Sequence, residues 1–473
     1  MSAEVTKVQE LLKALEAGQQ DAKPSSLTQG AALQMEDLSP VMEVVTFEEE
    51  AIQLQKMLKV ETVKSMLAQF IRQLSYGQQM LTMAQFEGVV GQEQTSDYVR
   101  IVVPMCFYSH LRKVSLPATL VATADGVKND ERAAKDAAKL IAAAVEFDLF
   151  RGKADFSNVG VFDGNPLQIP NLPNMLGLDP QIRQSDAQRN AQDLMFATFG
   201  SNDTVVLAGG NGSTGVMTQE NVEDAAVRSQ LNWGTAKKLL VDPKVGSAYN
   251  KLTIGKERII LSGGYSAPDA TGSTLRRQTT SAGNIDIELS QFLRGRTQPE
   301  AVGANSPAVP TLGAPSGSSS GSALVAGTYA YYVSAVSVNG ESAGTATQTV
   351  TTTGTQKVTF TITPASGAVN YFNVYRNNVG GATTQAACKF IGRIAANGSS
   401  AVTFTDLGNF RPGSVTAFLT QGDTMDIAEL ASYSRKRLAE TDLSQTEAHF
   451  RFLTLRVMQP RKNVLLTNLT GTF

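Results

Sequence analysis

Asn129-Asp-Glu-Arg-Ala-Ala-Lys-Asp-Ala-Ala-Lys-Leu-Ile-Ala-Ala-Ala-Val-Glu-Phe-Asp-Leu-Phe150 reads as one long helix. Asn129 suits an N-cap, and Asp130 and Glu131 suit the positive end of the helix dipole. Ala133, Ala137, Leu140, Ile141, Ala144 and Val145 recur at helical spacing and form an apolar stripe, whose alanines let another element approach closely. Gly152 closes the helix. On its N-terminal side, Tyr98–Phe107 and Arg112–Thr123 are β-rich, and residues 77–124 read as an extended hairpin loop with strands. Before that, Thr46-x-x-Glu49 is a capping box that opens a helical region from Phe47 to about Leu74, ended by Gly77. Glu4 to Leu15 is a short amphipathic helix, and 18–30 a flexible arm. On the C-terminal side, an irregular Pro/Asn region (156–185) leads to an α/β section. It comprises helix 186–199, strand 204–208, helix 219–232 with Thr218 as N-cap and Asn221 at its third position, strand 237–241, helix 243–250 and strand 257–262. A helix at 426–438 and a β-rich tail, His449 to Leu466, complete the chain.

Charge marks off a separate unit. Between Ser306 and Phe410 only Glu341, Lys357, Arg376, Lys389, Arg393 and Asp406 are charged. The Pro/Gly/Ser run 306–321 reads as a linker. Period-2 stretches follow at Thr328–Val338, Gln356–Thr363, Asn370–Tyr375, Cys388–Ile394 and Ala401–Thr405. Turn signals stand between them at Asn339-Gly340, Gly380-Gly381 and Asn397-Gly398. Short strands rich in Val, Tyr and Thr at this spacing predict a small β-sandwich. The segments Ala326–Ser342 and Ser366–Arg376 resemble the fibronectin-type-III or Ig-like modules of phage structural proteins.

The chemical equipment is sparse. The chain has 473 residues, a net charge of -2, two cysteines and two histidines. The length calls for several domains, and the small charge argues against a nucleic-acid coat. Two cysteines make neither a disulfide framework nor a structural zinc site. The start, Met1 to Lys7, lacks the apolar region of a secretory signal, and no apolar run is long enough to span a bilayer. Gly210-Asn-Gly-Ser-Thr-Gly215 after strand 204–208 matches a dinucleotide-binding pattern, but the helix starts later, at Thr218, so a plain strand-to-helix loop is the better reading. His110 and His449 are far apart and lack partner motifs, which points to surface or hydrogen-bonded histidines. Cys106 and Cys388 read as buried apolar thiols. Asn202, Asn211, Asn397 and Asn468 match glycosylation acceptors by chance. The basic groups Arg276-Arg277, Arg294-Gly-Arg296 and Arg435-Lys-Arg437 read as solvated or inter-subunit ion pairs. No catalytic, cofactor-binding or metal-ligating residue emerges.

Gly30-Ala-Ala-Leu-Gln-Met-Glu-Asp-Leu-Ser-Pro-Val-Met-Glu-Val-Val-Thr46 resembles the opening signature of the major capsid proteins of large tailed phages. The order of parts is similar to the Hong Kong 97-type capsid fold: arm, β-hairpin loop, long spine helix, central α/β domain, C-terminal return. The resemblance implies an α+β fold divided as follows: 1–76 arm and helices; 77–125 hairpin loop and strands; 126–185 spine helix and peripheral domain; 186–305 central α/β domain; 306–412 inserted Ig-like sandwich; 413–473 return to the central and peripheral domains. It implies a non-enzymatic shell protein of the virion, assembled in host cytoplasm, with no cofactor. Its partners would be copies of itself in hexamers and pentamers, scaffolding, portal or decoration proteins, and DNA held by weak non-specific contact, with no membrane. A tail, baseplate or fibre component with a fibronectin-like module is the alternative, and a nucleotide-binding enzyme using Gly210–Gly215 a more distant one.

Overall fold

In the computed structural model the described residues are 51–75, 86–90, 93, 95–120, 128–152, 174–183, 204–208, 215–235, 237–253, 277–294, 299, 303, 305–318, 324–365, 369–408, 410–438 and 443–470. In chain order they begin with α1 (Leu54–Met57), β1 (Lys59–Thr62), β2 (Leu67–Ser75), β3 (Asp97–Pro104), β4 (Cys106–Ser115), α2 (Leu116–Leu120) and α3 (Asn129–Arg151). Next come α4 (Leu178–Arg183), β5 (Val205–Leu207), α5 (Gln219–Leu231), β6 (Lys238–Val241), α6 (Pro243–Thr253), β7 (Arg277–Thr280) and β8 (Gly283–Leu289). Nine strands follow: β9 (Thr311–Leu312), β10 (Ser316–Ser318), β11 (Gly327–Ser337), β12 (Gly340–Glu341), β13 (Gln348–Thr352), β14 (Lys357–Thr363), β15 (Tyr371–Arg376), β16 (Lys389–Ala395) and β17 (Val402–Asp406). The chain returns through β18 (Val415–Thr420), β19 (Met425–Arg437), β20 (Ser444–Val457) and β21 (Val464–Leu469).

A six-stranded mixed sheet, ordered β5-β21-β18-β6-β8-β7, forms the centre. Strands β18 and β21 are buried along their whole length, because both faces of the sheet are covered. On one face α5 and α6 bring Val222, Ala225, Ala226, Val245 and Tyr249 against Leu239, Val241, Ala417 and Leu466. The start of α5 follows the sequence reading: the Thr218 hydroxyl accepts the Asn221 amide, and the Asn221 side chain accepts the Thr218 amide. On the other face the C-terminal half of α3 joins Leu240, Phe418 and Leu465 to Ile427, Leu453 and Leu455 of a second sheet, ordered β1-β19-β20-β4. Phe150 meets Phe418 with ring centroids 5.5 Å apart. One helix thus welds two sheets into a common core.

The buried seam of α3 is Ala137, Ile141, Val145, Leu149 and Phe150, with Leu140 turned out at 45% exposure. Asn129 is the first helical residue rather than the cap; its amide reaches the Ala118 carbonyl, and Lys128 holds the cap position without a side-chain bond. Glu146 is fully buried in the seam. Its carboxylate accepts the backbone amides of Gln53 (3.1 Å), Leu54 (2.6 Å) and Gln55 (3.0 Å), supplying acceptors for the free amides at the start of α1. Burial pushes the carboxyl above the usual range, against the pull of these three donors. Glu146→Gln puts an amide nitrogen against one of them, so urea unfolding should show a loss of about 2 kcal/mol.

Two helices expected from periodicity are strands. Of the region 47–74, the described part holds only the single turn α1 before β1 and β2. Residues 426–438 belong to β19, which pairs with β1 in parallel and with β20 antiparallel. Its first four residues are buried and its last three exposed, a gradient that blurs the period-2 signal. The β-rich reading of 112–123 holds to Ser115, after which α2 turns. The hairpin begins at Leu67, ten residues before its expected start at 77. The run 306–321 is no free linker, since β9 and β10 pair with β14 and Leu312 is buried. The arm, the segment 30–46, the capping box at Thr46, helix 186–199 and strand 257–262 lie outside the described residues.

The sandwich strands fall where the sequence places them; β14 alternates in burial, whereas β11 and β15 are buried on both faces. One sheet runs β10-β14-β17 with β9 beside β14, the other β12-β11-β15-β16 with β13 beside β11. Tyr331, Val333, Phe360, Ile362, Phe372, Val374 and Phe404 fill the space between them. Gly340, Gly380 and Gly398 take the positive φ that their turns demand. Few of this segment's charges reach its surface: Glu341, Arg376, Arg393 and Asp406, four of the six, are buried. Glu341 accepts from Ser334, Asn373 and Tyr375. The chain leaves the central sheet after β8 and re-enters at β18, two strands that flank β6.

Candidate assembly surface

Among the described residues, strands β2 and β3 pair only with each other, Leu67 opposite Pro104 and Ile71 opposite Arg100. A two-stranded ribbon is marginal in water unless one face is covered. The covered face is the one carrying Ala68 and Val103, which are buried; Ala68 packs with Met105 and Ala428 at the ribbon's base. Arg72, on the same face, donates from Nε to the Met458 carbonyl (2.8 Å) and from Nη2 to the Val457 carbonyl (2.9 Å). Burial, helped by Arg461, draws its guanidinium down to about 10. The opposite face carries Leu67, Ile71, Tyr98 and Val102, and Ile71 is 72% exposed. Farther out, Phe86, Val89 and Val90 are also exposed, Val90 at 90%. Exposed single apolar residues are ordinary; several on one ribbon face, interleaved with the hydrogen-bonded Gln69 and Arg100, make a candidate contact surface.

A second open face belongs to β4 and β20. Phe107 and Leu111 point out of the sheet, and Phe107 meets Phe452 edge-on at 4.9 Å. At the end of α5, the chain's one tryptophan, Trp233, has φ 61° and is 82% exposed. Its amide bonds to the Gln230 carbonyl, and the Gly234 amide to the Ser229 carbonyl, so a bulky residue occupies the left-handed position where glycine is usual.

The residues singled out from sequence fall elsewhere. Cys106 and Cys388 are buried, and burial pushes the Cys388 thiol up to about 11. Arg435 and Arg437 lie on β19, not a helix. Arg437 pairs within the chain to Glu447 (3.1 Å) and Asp130 (3.9 Å), and Arg435 to Glu447 at 3.8 Å. Arg277 pairs with Asp286 at 2.6 Å; Arg276 and Arg296 are outside the described residues, as is the glycine loop before Gly215. His110 and His449 lie within β4 and β20, directly opposite each other. Nothing in their spacing announces this, because only the sheet order brings them together. Among the described residues no group of three His, Cys, Asp or Glu side chains is placed to hold a metal ion. No described helix is long and apolar enough to cross a membrane.

No protein-family model and no curated protein matches the sequence. Solved structures with a similar fold include the capsid of a native GTA particle, at TM-score 0.47 and 10% identity over 95% of this chain and 99% of that chain. The capsid of cyanophage P-SCSP1u is similar at TM-score 0.43 and 11% identity, over 95% and 99%. The SrpI encapsulin of Synechococcus elongatus PCC 7942 is similar at TM-score 0.35 and 8% identity, over 92% and 93%.

Proposed function

We propose that this chain is the major capsid protein of a tailed bacteriophage, built on a Hong Kong 97-type fold, that self-assembles into an icosahedral shell around the genome. The observation that carries the reading is the β2–β3 ribbon, whose uncovered apolar face is an unfavourable surface for a lone chain and a useful one for a chain that lies across a copy of itself. The signature at 30–46 and the helix that welds two sheets support it. Residues 306–412 are an Ig-like insertion that decorates the outside; the flanking positions of β8 and β18 suit an insertion that leaves the central sheet continuous. The division at 76, 125, 185, 305 and 412 belongs to the same proposal. Hexamers and pentamers, scaffolding and portal proteins, and weak contact with packaged DNA are its partners, and it catalyses no reaction.

Negative-stain microscopy of the purified chain, alone and with a scaffolding protein, tests this. Closed shells are expected, whereas rings or fibres would favour a tail or baseplate component. Ile71→Asp places a charge on the uncovered ribbon face. It should leave the unfolding midpoint of the unassembled chain unchanged, because surface substitutions cost within about 0.5 kcal/mol. Sedimentation should show shells lost. Shells at wild-type yield would remove the ribbon from the interface.

A further inference from the structure

The chain's only two histidines, more than 300 residues apart, face each other across β4 and β20. His449 is fully buried. The Tyr433 hydroxyl lies 2.9 Å from its Nδ1 and 3.1 Å from the Ala134 carbonyl on α3. A hydroxyl has one proton, and the carbonyl can only accept it. The imidazole therefore carries its hydrogen on Nδ1, donated to the tyrosine oxygen, and presents a bare Nε2. Among the described residues that Nε2 has no hydrogen-bond partner, nor does the buried Nε2 of His110, nor the buried Nε of Arg112. Tyr433 also stacks on the His449 ring, at 11° between planes.

The surroundings disfavour a second proton. From β4 comes the guanidinium of Arg112, and from β19 that of Arg435. From β20 comes Glu447, with Oε2 3.9 Å from His449 Nε2. This carboxylate is already engaged by Arg437 (3.1 Å) and Gln445 (3.2 Å). From α3 come the Ala134 carbonyl and Asp130, which faces Arg437.

We propose that the facing histidines are a proton-operated latch: uptake of protons by His449 and His110 in mild acid releases the first turns of α3 from the β4–β20 face. Protonation adds two positive charges beside Arg112 and Arg435, and its new protons fall on the two Nε2 atoms that have no acceptor among the described residues, so the charged pair favours an opened arrangement in which water supplies one. Burial already holds both imidazoles below the usual histidine value, with Arg112 adding to this at His110. The opened state regains the ordinary value. Stability from the pair is thus complete above the ordinary histidine value and is lost as pH falls through it toward the folded value. The latch belongs to the single chain and stands or falls independently of shell formation.

Hydrogen exchange of the unassembled full chain between pH 7.5 and 5 reads it directly. The opening constant of amides 132–138 should stay level above the ordinary histidine value and rise as pH falls below it, by at most about one decade per pH unit for each proton taken up. In His110→Asn/His449→Asn that rise should disappear, since no other histidine remains. Persistence of the slope in the variant, or its absence in the wild type, overturns the proposal. Should the variant not fold, the wild-type chain still decides: it has two imidazole C2–H resonances. Both should titrate below the ordinary histidine value, and titration at or above it overturns the latch.

Discussion

Asp406→Ala is expected to destabilise the two-sheet module by about 3–5 kcal/mol, the range for breaking a buried charge pair from one side. Arg376 and Asp406 are each about 1% exposed. Asp406 Oδ2 accepts from Arg376 Nη1 and, at 3.0 Å, from the Tyr331 hydroxyl, while Oδ1 accepts the Gly408 amide at 2.8 Å. Alanine strands all three donors. The guanidinium does not escape by losing its proton, because arginine stays charged in proteins. It keeps only the Phe410 carbonyl, at 2.7 Å, and the ring of Tyr329 beneath it. The core of the module shares no residue with the cores on either side of the central sheet. Calorimetry should therefore show one transition moving to lower temperature while the rest of the profile stays. The double replacement Arg376→Met/Asp406→Leu should recover most of the loss, since a buried pair exchanged for apolar residues is often neutral. If Asp406→Ala shifted every transition together, the module would be energetically continuous with the scaffold. If it shifted none, the pair would contribute nothing.

What the sequence made legible and what it hid divide along a physical line. The sandwich was readable because β14 buries one face, so Val358, Phe360 and Ile362 alternate with Thr359 and Thr361, while β11 and β15, buried on both faces, are rich in Tyr, Phe and Val. The α5 start was readable because a cap is local chemistry. The two lost helices were lost for the opposite reason. Strands β1 and β19 gain their partners from each other, across more than 360 residues. Strand β1 is exposed along its length and β19 passes from buried to exposed, so neither carries a clean period-2 signal, and spacings of three and four arise by coincidence. The same distance hid the histidine pair. Glu146 was invisible too: on a helix rich in Glu, Asp and Lys it looks like one more solvent-facing charge, and only the fold shows it sealed beneath α1. The run at 306–321 misled because small polar residues suit an edge strand as well as a tether. For the assembly surface, the sequence placed a hairpin in nearly the right place, but which of its faces is uncovered depends on where β19 and the end of β20 lie.

Gly152→Ala and Gly177→Ala should be the most damaging substitutions of their size, because each puts a methyl group into backbone. A β-carbon on Gly152 would overlap the Met175 carbonyl oxygen and stand 2.6 Å from that of Asp148. On Gly177 it would stand 2.5 Å from the Gly152 nitrogen and 2.6 Å from the Asp148 oxygen. Side chains can swing away from such a contact; these carbonyls are held in place. The Asp148 oxygen closes the last turn of α3 by accepting the Gly152 amide at 2.8 Å, and the Gly152 oxygen accepts the Gly177 amide at 2.9 Å. Moving either one pulls on Met175, Leu178 and Ile182, all fully buried against Leu455 and Val457. It also displaces Gln181, which accepts the Val457 amide at 3.1 Å and donates to the Leu455 carbonyl at 3.0 Å. The junction of α3 and α4 has no slack, so either substitution should cost at least about 3 kcal/mol, at or beyond the upper end of ordinary overpacking. Gly354→Ala is the matched control: its β-carbon would meet nothing within 4 Å, and its effect should stay within about 0.5 kcal/mol. Soluble yield and thermal midpoint of the three variants decide the matter. Wild-type behaviour in Gly152→Ala would mean that the α3–α4 junction relaxes around an added methyl group without loss, and the packing of Met175, Leu178 and Ile182 would then not depend on that close approach.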